Sequence, residues 1–390
     1  MATGISTLGQ SIGQISRLKT MGATLADLQL QLTSGKKTQK FSGLGTTAIL
    51  SQRARADFNA MDTYMNNLSI SNRRMELMIT AIEELQAQAG NVANIVANEL
   101  QEGEINLDRV NDLASNVIAF MEDLVNAQDG DRYLFSGSAS STQPLSLGGG
   151  TLQTYLQGQL ADWQGETLST SSLISSYRNV SDTIVGYNAA ISNGDVGNVT
   201  VRADKNVEIN YTTLANASGF KDIMVATQMM QELTVTDTSQ VYHIDKIKLE
   251  RADFEDALLP TDLPQTPPPG TAMTLPADFD NAATADELVA ENQQRADNFF
   301  ALFNDLGRMI NNAIDDLDTL RFSLESSRAQ VIHMQEQHTL DQNTLLGTIS
   351  DVEDADISEV ALSLNFMEIQ LEASYRVTAS ISDLNLANFL

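Results

Sequence analysis

The chain has 390 residues and a net charge of −28, from 51 acidic against 23 basic side chains, length enough for two or three domains. Such acidity argues against nucleic acid, whose phosphates need Lys and Arg, and equally against an anionic membrane surface. Cysteine is absent, which removes disulfide and thiolate chemistry; no apolar run approaches the ~18 residues of a membrane span, and the N-terminus lacks a signal-peptide core.

All seven prolines lie between Pro144 and Pro276. Proline breaks helix interiors, so two proline-free arms flanking a proline-bearing centre read as two helical arms around a different middle. In the first arm, apolar residues fall at Ile5, Leu8, Ile12, Ile15, Leu18, Met21, Leu25, Leu28 and Leu32, the steps of three and four of a coiled-coil seam with one slip near Leu18. Thr33-Ser34-Gly35 should end this helix, Gly supplying the left-handed cap. Lys40 to Gly45 reads as a loop. A second helix starts after Thr46 or Thr47 and carries Met61, Met65, Leu68, Met75, Ile82, Leu85, Ala89, Val92, Val96 and Leu100. About 55 residues would span roughly 80 Å. Gly103 ends it; Asn106 caps a third helix through Val110, Leu113, Val117, Phe120 and Leu124, expected to close at Asp129-Gly130.

The middle, from about 138 to 281, has Ser/Thr clusters, the only Trp (Trp163) and short alternating runs. Val199–Val201 and Val207–Tyr211 read as half-buried strands joined by a turn at Asp204-Lys205-Asn206. Phe220 to Leu233 reads as a short helix, and Pro260 to Pro276 as an extended linker. The second arm resumes near Ala285 with a seam of Leu306, Ile310, Ala313, Leu317, Leu320, Leu324, Ser327, Val331, Met334 and His338. A final helix is expected after Gly347, its start marked by the acidic run Asp351–Asp356. It continues with Ile357, Val360, Leu364, Met367, Leu371, Tyr375, Ile381 and Leu384. Residues 1–40 carry five basic and one acidic side chain; residues 351–390 carry eight acidic and one basic. Two seam-bearing ends of opposite sign should pair, with Leu364, Leu371 and Leu384 packing on Ile5, Ile12 and Leu18 only after assembly.

Candidate chemistry is sparse. Gly43-Leu-Gly45-Thr-Thr-Ala48 matches a dinucleotide pattern in form, but the preceding residues are polar and basic where that pattern needs a buried strand. His333 and His338 are five apart, which does not bring them to one helix face; His338 on the seam reads as a polar register residue. No nucleophile elbow is present. No cofactor, metal or catalytic residue is expected, and the chain reads as a structural subunit more than an enzyme.

Both arms resemble the bacterial flagellins and the flagellar hook-associated proteins. In the first arm the resemblance rests on Leu25-Ala-Asp-Leu-Gln-Leu-Gln-Leu-Thr-Ser-Gly-Lys-Lys37, on Asn66-Asn67-Leu68 and on Asp129-Gly-Asp-Arg-Tyr-Leu-Phe-Ser-Gly137. In the second it rests on Asp351–Asp356 and on Ile381-Ser-Asp-Leu-Asn-Leu-Ala-Asn-Phe-Leu390. The segment 129–137 looks more like the hook–filament junction branch, the third hook-associated protein, than like a filament flagellin, which is the alternative. Phe41-Ser-Gly-Leu-Gly45 departs from the Asp-Asp-Pro element usual in that loop. The resemblance implies a mainly α fold: a long antiparallel coiled-coil rod from both arms, with an inserted α+β or mostly β centre. Residues 1–40 and 351–390 would form an inner terminal domain, 41–140 and 285–350 a helical rod, and 141–284 an inserted outer domain. The seam residues of both ends would be the helix-pairing and subunit interface. Partners would be further copies, other axial proteins and an export chaperone on the C-terminal helix. The protein would be secreted by the flagellar type III apparatus, without a cleaved signal.

Overall fold

A computed structural model describes residues 3–102, 107–165, 167–233 and 285–387. The elements in chain order are α1 (Thr3–Ser34), a 3-10 turn (Phe41–Thr47), α2 (Ala48–Glu102) and α3 (Leu107–Val125). The hairpin β1 (Gln128–Asp129)–β2 (Arg132–Tyr133) follows, then α4 (Thr151–Gln164), α5 (Thr170–Arg178), and the single turns α6 (Asp182–Val185) and α7 (Ala189–Ser192). The hairpin β3 (Thr200–Asp204)–β4 (Val207–Asn210), α8 (Ser218–Glu232), α9 (Ala285–Glu353) and α10 (Ile357–Ala387) complete the chain. It is a mainly α fold in which long helices from both arms pack together, and among the described residues the strands form small antiparallel hairpins. Gly103, Asn106 and Pro260 to Pro276 lie outside the described residues.

The chain divides into two compact units, Asn67–Met334 and Met1–Asn66 with Gln335–Leu390. This differs from the boundaries near 40, 140, 285 and 350 expected from sequence. Residues 141–233 do not form a core of their own. In the larger unit, one hydrophobic cluster runs from Leu68 on α2 through α3, Phe135, α4, α5, the β3–β4 hairpin and α8 to Val331 on α9. The 55 residues of α2 and the 69 of α9 need a continuous apolar stripe against a partner, since isolated helices are only marginal in water. Within this unit they provide one for each other. Val96 lies against Gly307, Gln86 donates to the Ile314 carbonyl at 3.2 Å, and Arg328 Nε donates to Asn72 at 2.9 Å. These pairings run antiparallel.

Two local readings change, and one of two alternatives is selected. The third helix ends at Val125, and Asp129-Gly130 is the turn of β1–β2 instead. Gly130 takes a φ of 65°, which glycine adopts without strain, while Asp129 is gripped by Arg73 at 2.9 Å and Arg74 at 2.8 Å. The ion pairs with Arg73 and Arg74 hold the Asp129 carboxyl below the usual range. The centre is the α+β alternative, since Trp163 and its neighbours form helices; only the β3–β4 hairpin matches the alternating runs, with Asp204 paired to Val207 across a two-residue turn. The second arm does not break at Gly347, because α9 continues to Glu353.

One buried polar knot holds the larger unit. The Asp305 carboxylate accepts from Tyr177 at 2.5 Å, from Arg178 at 3.0 and 2.8 Å, and from Arg308 at 2.9 Å. Burial pushes this carboxyl up, but the Arg178 and Tyr177 bonds outweigh it and its pKa is lowered. A carboxylate in this position is tolerable only because its lone pairs are filled.

Candidate functional site at the terminal helix pair

The smaller unit holds the residues expected to carry assembly. Helix α1 packs on α10, and the two run antiparallel: Ala355 N–H donates to the Gly35 carbonyl at 2.9 Å, and Ser374 lies against Met21 Sδ at 3.9 Å. On α10, Val360 is buried, and Leu364, Met367, Leu371 and Ser374 are half-buried at the same spacing. On α1, Leu18, Met21, Leu25 and Leu28 are half-buried. Ile12, Ile15, Leu32 and Ile357 stand on exposed sides of their helices. The backbones of Ile5, Leu8, Ile381 and Leu384 are helical, and their side chains lie outside the described residues. With this register, Leu364 is level with residues near Leu28. The pairing of Leu364 and Leu371 with Ile5 and Ile12 is therefore corrected; the slip seen near Leu18 turns Ile12 and Ile15 outward and brings Gln14 inward.

A second apolar stripe escaped the sequence reading. Leu362, Phe366 and Ile369 are 73%, 62% and 61% exposed, and Ala373 and Val377 continue the row in steps of four. On a helix of 3.6 residues per turn this row lies about 145° from the Val360–Leu371 row. The signal was present in the sequence, offset by two from the inner seam. Polar and acidic positions (Glu359, Ser363, Glu368, Gln370, Glu372) fill the remaining sectors.

The pair is anchored at a joint where α1 ends and α9 gives way to α10. Gly35 turns the chain with a φ of 70°. Lys37 N–H donates to the Glu353 carbonyl at 2.8 Å, and Lys37 Nζ reaches the Asp351 carbonyl at 2.6 Å, satisfying orphan carbonyls at the α9 terminus. The buried Glu353 carboxylate accepts two bonds from Arg55, at 2.8 and 2.6 Å, one from the Ser51 hydroxyl, and one from Lys36 at 3.4 Å. Lys36 also pairs with Asp354 at 2.5 Å. The Arg55 bonds hold the Glu353 carboxyl at about 2, despite burial pushing it up, and Lys36 lowers Asp354. So the acidic run expected to open the last helix splits. Asp351 and Glu353 close α9, where the macrodipole disfavours them and the cations compensate. Asp356 caps α10, accepting from the Ser358 and Glu359 amides at 2.9 and 3.2 Å. The stretch expected as a loop, Lys40 to Gly45, is mostly a 3-10 turn kinked at Gly45. No strand precedes Gly43, so the dinucleotide pattern lacks its geometry. His338 is buried and stacks on Tyr64 at 5.8 Å, in a packing position between α9 and α2.

Among the described residues no helix is long and apolar enough to cross a membrane. These features define a mainly helical chain whose α1 and α10 pack together and leave an apolar row of α10 exposed. Residues 308–390 match the family model described as the bacterial flagellin C-terminal helical region. That match lies on the second arm, over the C-terminal part of α9 and the whole of α10. Comparison with curated protein sequences gives no match. A solved structure of a candidate flagellar hook-associated protein from Vibrio parahaemolyticus shares 12% identity, with a TM-score of 0.32 over 75% of this chain and 97% of that one. Likeness at that score carries no structural inference.

Proposed function

We propose that this chain joins hook to filament as a junction subunit, assembling with further copies and with other axial proteins through its terminal helices. The segment Asp131-Arg-Tyr-Leu-Phe-Ser-Gly137 carries the junction reading. Its residues are structurally engaged: Phe135 is fully buried edge-on to Phe220 at 5.2 Å, and Gly137 takes a φ of 59° against Leu214. The open Leu362–Phe366–Ile369 row supports assembly, because large adjacent apolar side chains on one helix face mark an interaction surface. The seam residues of both ends, Ile5 to Leu32 and Ile357 to Leu384, are the proposed pairing and subunit interface. Export by the flagellar type III route, and a chaperone covering α10 before assembly, belong to the same reading.

Deleting the gene should leave hooks intact while flagellin escapes unpolymerised. Full-length filaments in the deletion strain would refute the junction role. The second reading, a filament flagellin, rests on the same C-terminal match. Copy number separates them: labelled copies seen by electron microscopy at one band per flagellum fit a junction subunit, and labelling along the filament fits a flagellin.

A further inference from the structure

We propose that Asp222 is a proton-operated latch on the crossing of α8 and α9: as a carboxylate it loosens that contact, and on taking up a proton it tightens it.

The two helices approach closely. Gly219 on α8 sits against Leu317 and the Ala313 carbonyl of α9, and the Ser218 hydroxyl donates to Asp316 at 2.5 Å. Asp222 follows Ser218 by four residues, so it lies on the same side of α8, one turn farther along. It is half-buried. Among the described residues the charged groups acting on it are Asp316 from α9, Arg178 from α5 and Lys221 beside it. Helices α3 and α4, which also pack on α8, contribute none of these. Tyr187 is a further titratable neighbour; burial keeps it protonated, and its hydroxyl is enclosed with no hydrogen-bond partner among the described residues. All of these groups lie in the larger unit, so the latch is independent of the assembly reading.

Both cations are committed elsewhere. Arg178 gives two nitrogens to Asp305, at 3.0 and 2.8 Å, and Lys221 bonds Asp182 at 2.7 Å. No hydrogen bond to the Asp222 carboxylate is made among the described residues. Its place in the second turn of α8 gains little from the macrodipole, which falls off within the first. Asp305, whose lone pairs are filled by donors, is held below the usual carboxylate range. Asp222 is the opposite case: burial first, and then Asp316, push its carboxyl up, against the pull of Lys221 and Arg178.

Ionised, Asp222 is partly desolvated and faces a like charge. Protonated, it loses that repulsion and gains an O–H donor on the side where Ser218 already bonds Asp316. A carboxyl held up in the folded chain adds stability that is complete below the ordinary 3.8 and lost as pH rises through the folded value.

The test is urea unfolding of the full-length chain between neutral pH and about pH 3. It is followed by fluorescence of Trp163, the only tryptophan, which packs on the larger unit's core. Asp222→Asn, isosteric and uncharged, should lower the unfolding equilibrium constant at neutral pH by roughly fivefold, the scale of one partly screened charge pair. The gap from the parent should close as pH falls below the ordinary aspartate value. Asp316→Asn keeps an acceptor for Ser218; added to Asp222→Asn it should bring no further gain, because the repulsion is already gone. Asp315→Asn, exposed beside it on α9, controls for the lowered net charge and should change little. An Asp222→Asn chain no more stable than the parent at neutral pH, a gap that persists in acid, additive gains from the Asp222 and Asp316 variants, or an equal gain from Asp315→Asn would each overturn the proposal.

Discussion

Replacing Phe366 by Asp should separate assembly from folding. Phe366 is 62% exposed; an aromatic side chain presents roughly 200 Å², so about 120 Å² awaits a partner. At ~25 cal/mol per Å² its burial in a polymer contributes about 3 kcal/mol per subunit, and an Asp there would add the cost of desolvating a charge. Each 1.4 kcal/mol is about tenfold in affinity, so the critical concentration for assembly should rise by about a hundredfold or more. In the monomer the same side chain touches little, and the melting free energy should move by less than about 0.5 kcal/mol. Sedimentation of polymer against total protein gives the first quantity and circular-dichroism melting the second. Gln370→Asp, exposed on a polar sector of the same helix, controls for added charge and should change neither by much. The reasoning fails if Phe366→Asp polymerises at the parental critical concentration, or if it unfolds the monomer, since either outcome means that the outer row is not an open docking face.

Leu371→Asp, on the half-buried inner seam, should abolish assembly and expose α1 and α10 to protease while leaving fragments from residues 67–334 intact; protection of both ends in that variant would contradict the pairing. Glu353 gives a pH dependence of definite sign. Its carboxyl titrates at about 2 in the folded chain against an ordinary 4.5, so its stabilisation is complete above 4.5 and lost as pH falls from there toward 2; exchange of α1 and α10 should accelerate across that window in the parent and much less in Glu353→Gln. Asp305→Ala leaves the buried Tyr177 hydroxyl without its acceptor, while the exposed Arg178 turns to water, and should cost about 1–3 kcal/mol in denaturant unfolding. Gly219→Ala would bring a Cβ within 2.9 Å of the Ala313 carbonyl and 2.8 Å of Leu317 Cγ, an overpacking cost of about 1–3 kcal/mol. Gly307→Ala meets only Val96 Cγ1 at 2.7 Å, and gains up to ~1 kcal/mol in helix propensity. Equal melting points for the two glycine variants would show that the backbone contact at Gly219 can yield.

The long helices were legible because one physical signal, apolar residues at steps of three and four, is sustained over many turns. On α9, Leu306, Ile310, Ala313, Leu317, Leu324, Val331 and His338 are all buried as that spacing demands. The β3–β4 hairpin was legible from alternation. What failed did so at ends and in short elements. Asp129-Gly130 carries the same turn chemistry whether it stops a helix or reverses a strand, and only its ion pairs with Arg73 and Arg74 decide. An acidic run favours a helix start, yet Asp351 and Glu353 sit at a helix end, where Arg55 pairs with the Glu353 carboxylate and Lys37 bonds the Asp351 carbonyl, from 298 and 314 positions away in sequence. Helices α4 to α7 are rich in Ser, Thr, Gln and Gly, and owe their form to Leu152, Leu156, Leu160, Leu173 and Tyr177 entering the common core, a tertiary effect that local propensity does not contain.

The charge asymmetry of the two ends was read as a guide to partner choice along the seam. Its place in the structure is narrower. Within the smaller unit, the ion pairs described between the two arms lie at the joint, where Lys36 and Arg55 meet Glu353 and Asp354, while the α1–α10 seam beyond it is apolar and half-covered. That division fits the energetics of each kind of contact. Charges held by bidentate and multiple hydrogen bonds fix one register and tolerate little displacement. Apolar rows fix none, but they accept any surface that covers them. A chain with its register set at one end of the pair and two apolar faces on α10 can satisfy one face internally. The other is exposed among the described residues, and under the proposed assembly a copy of the same helix pair, repeated without closing on itself, would cover it and build a filament-like polymer.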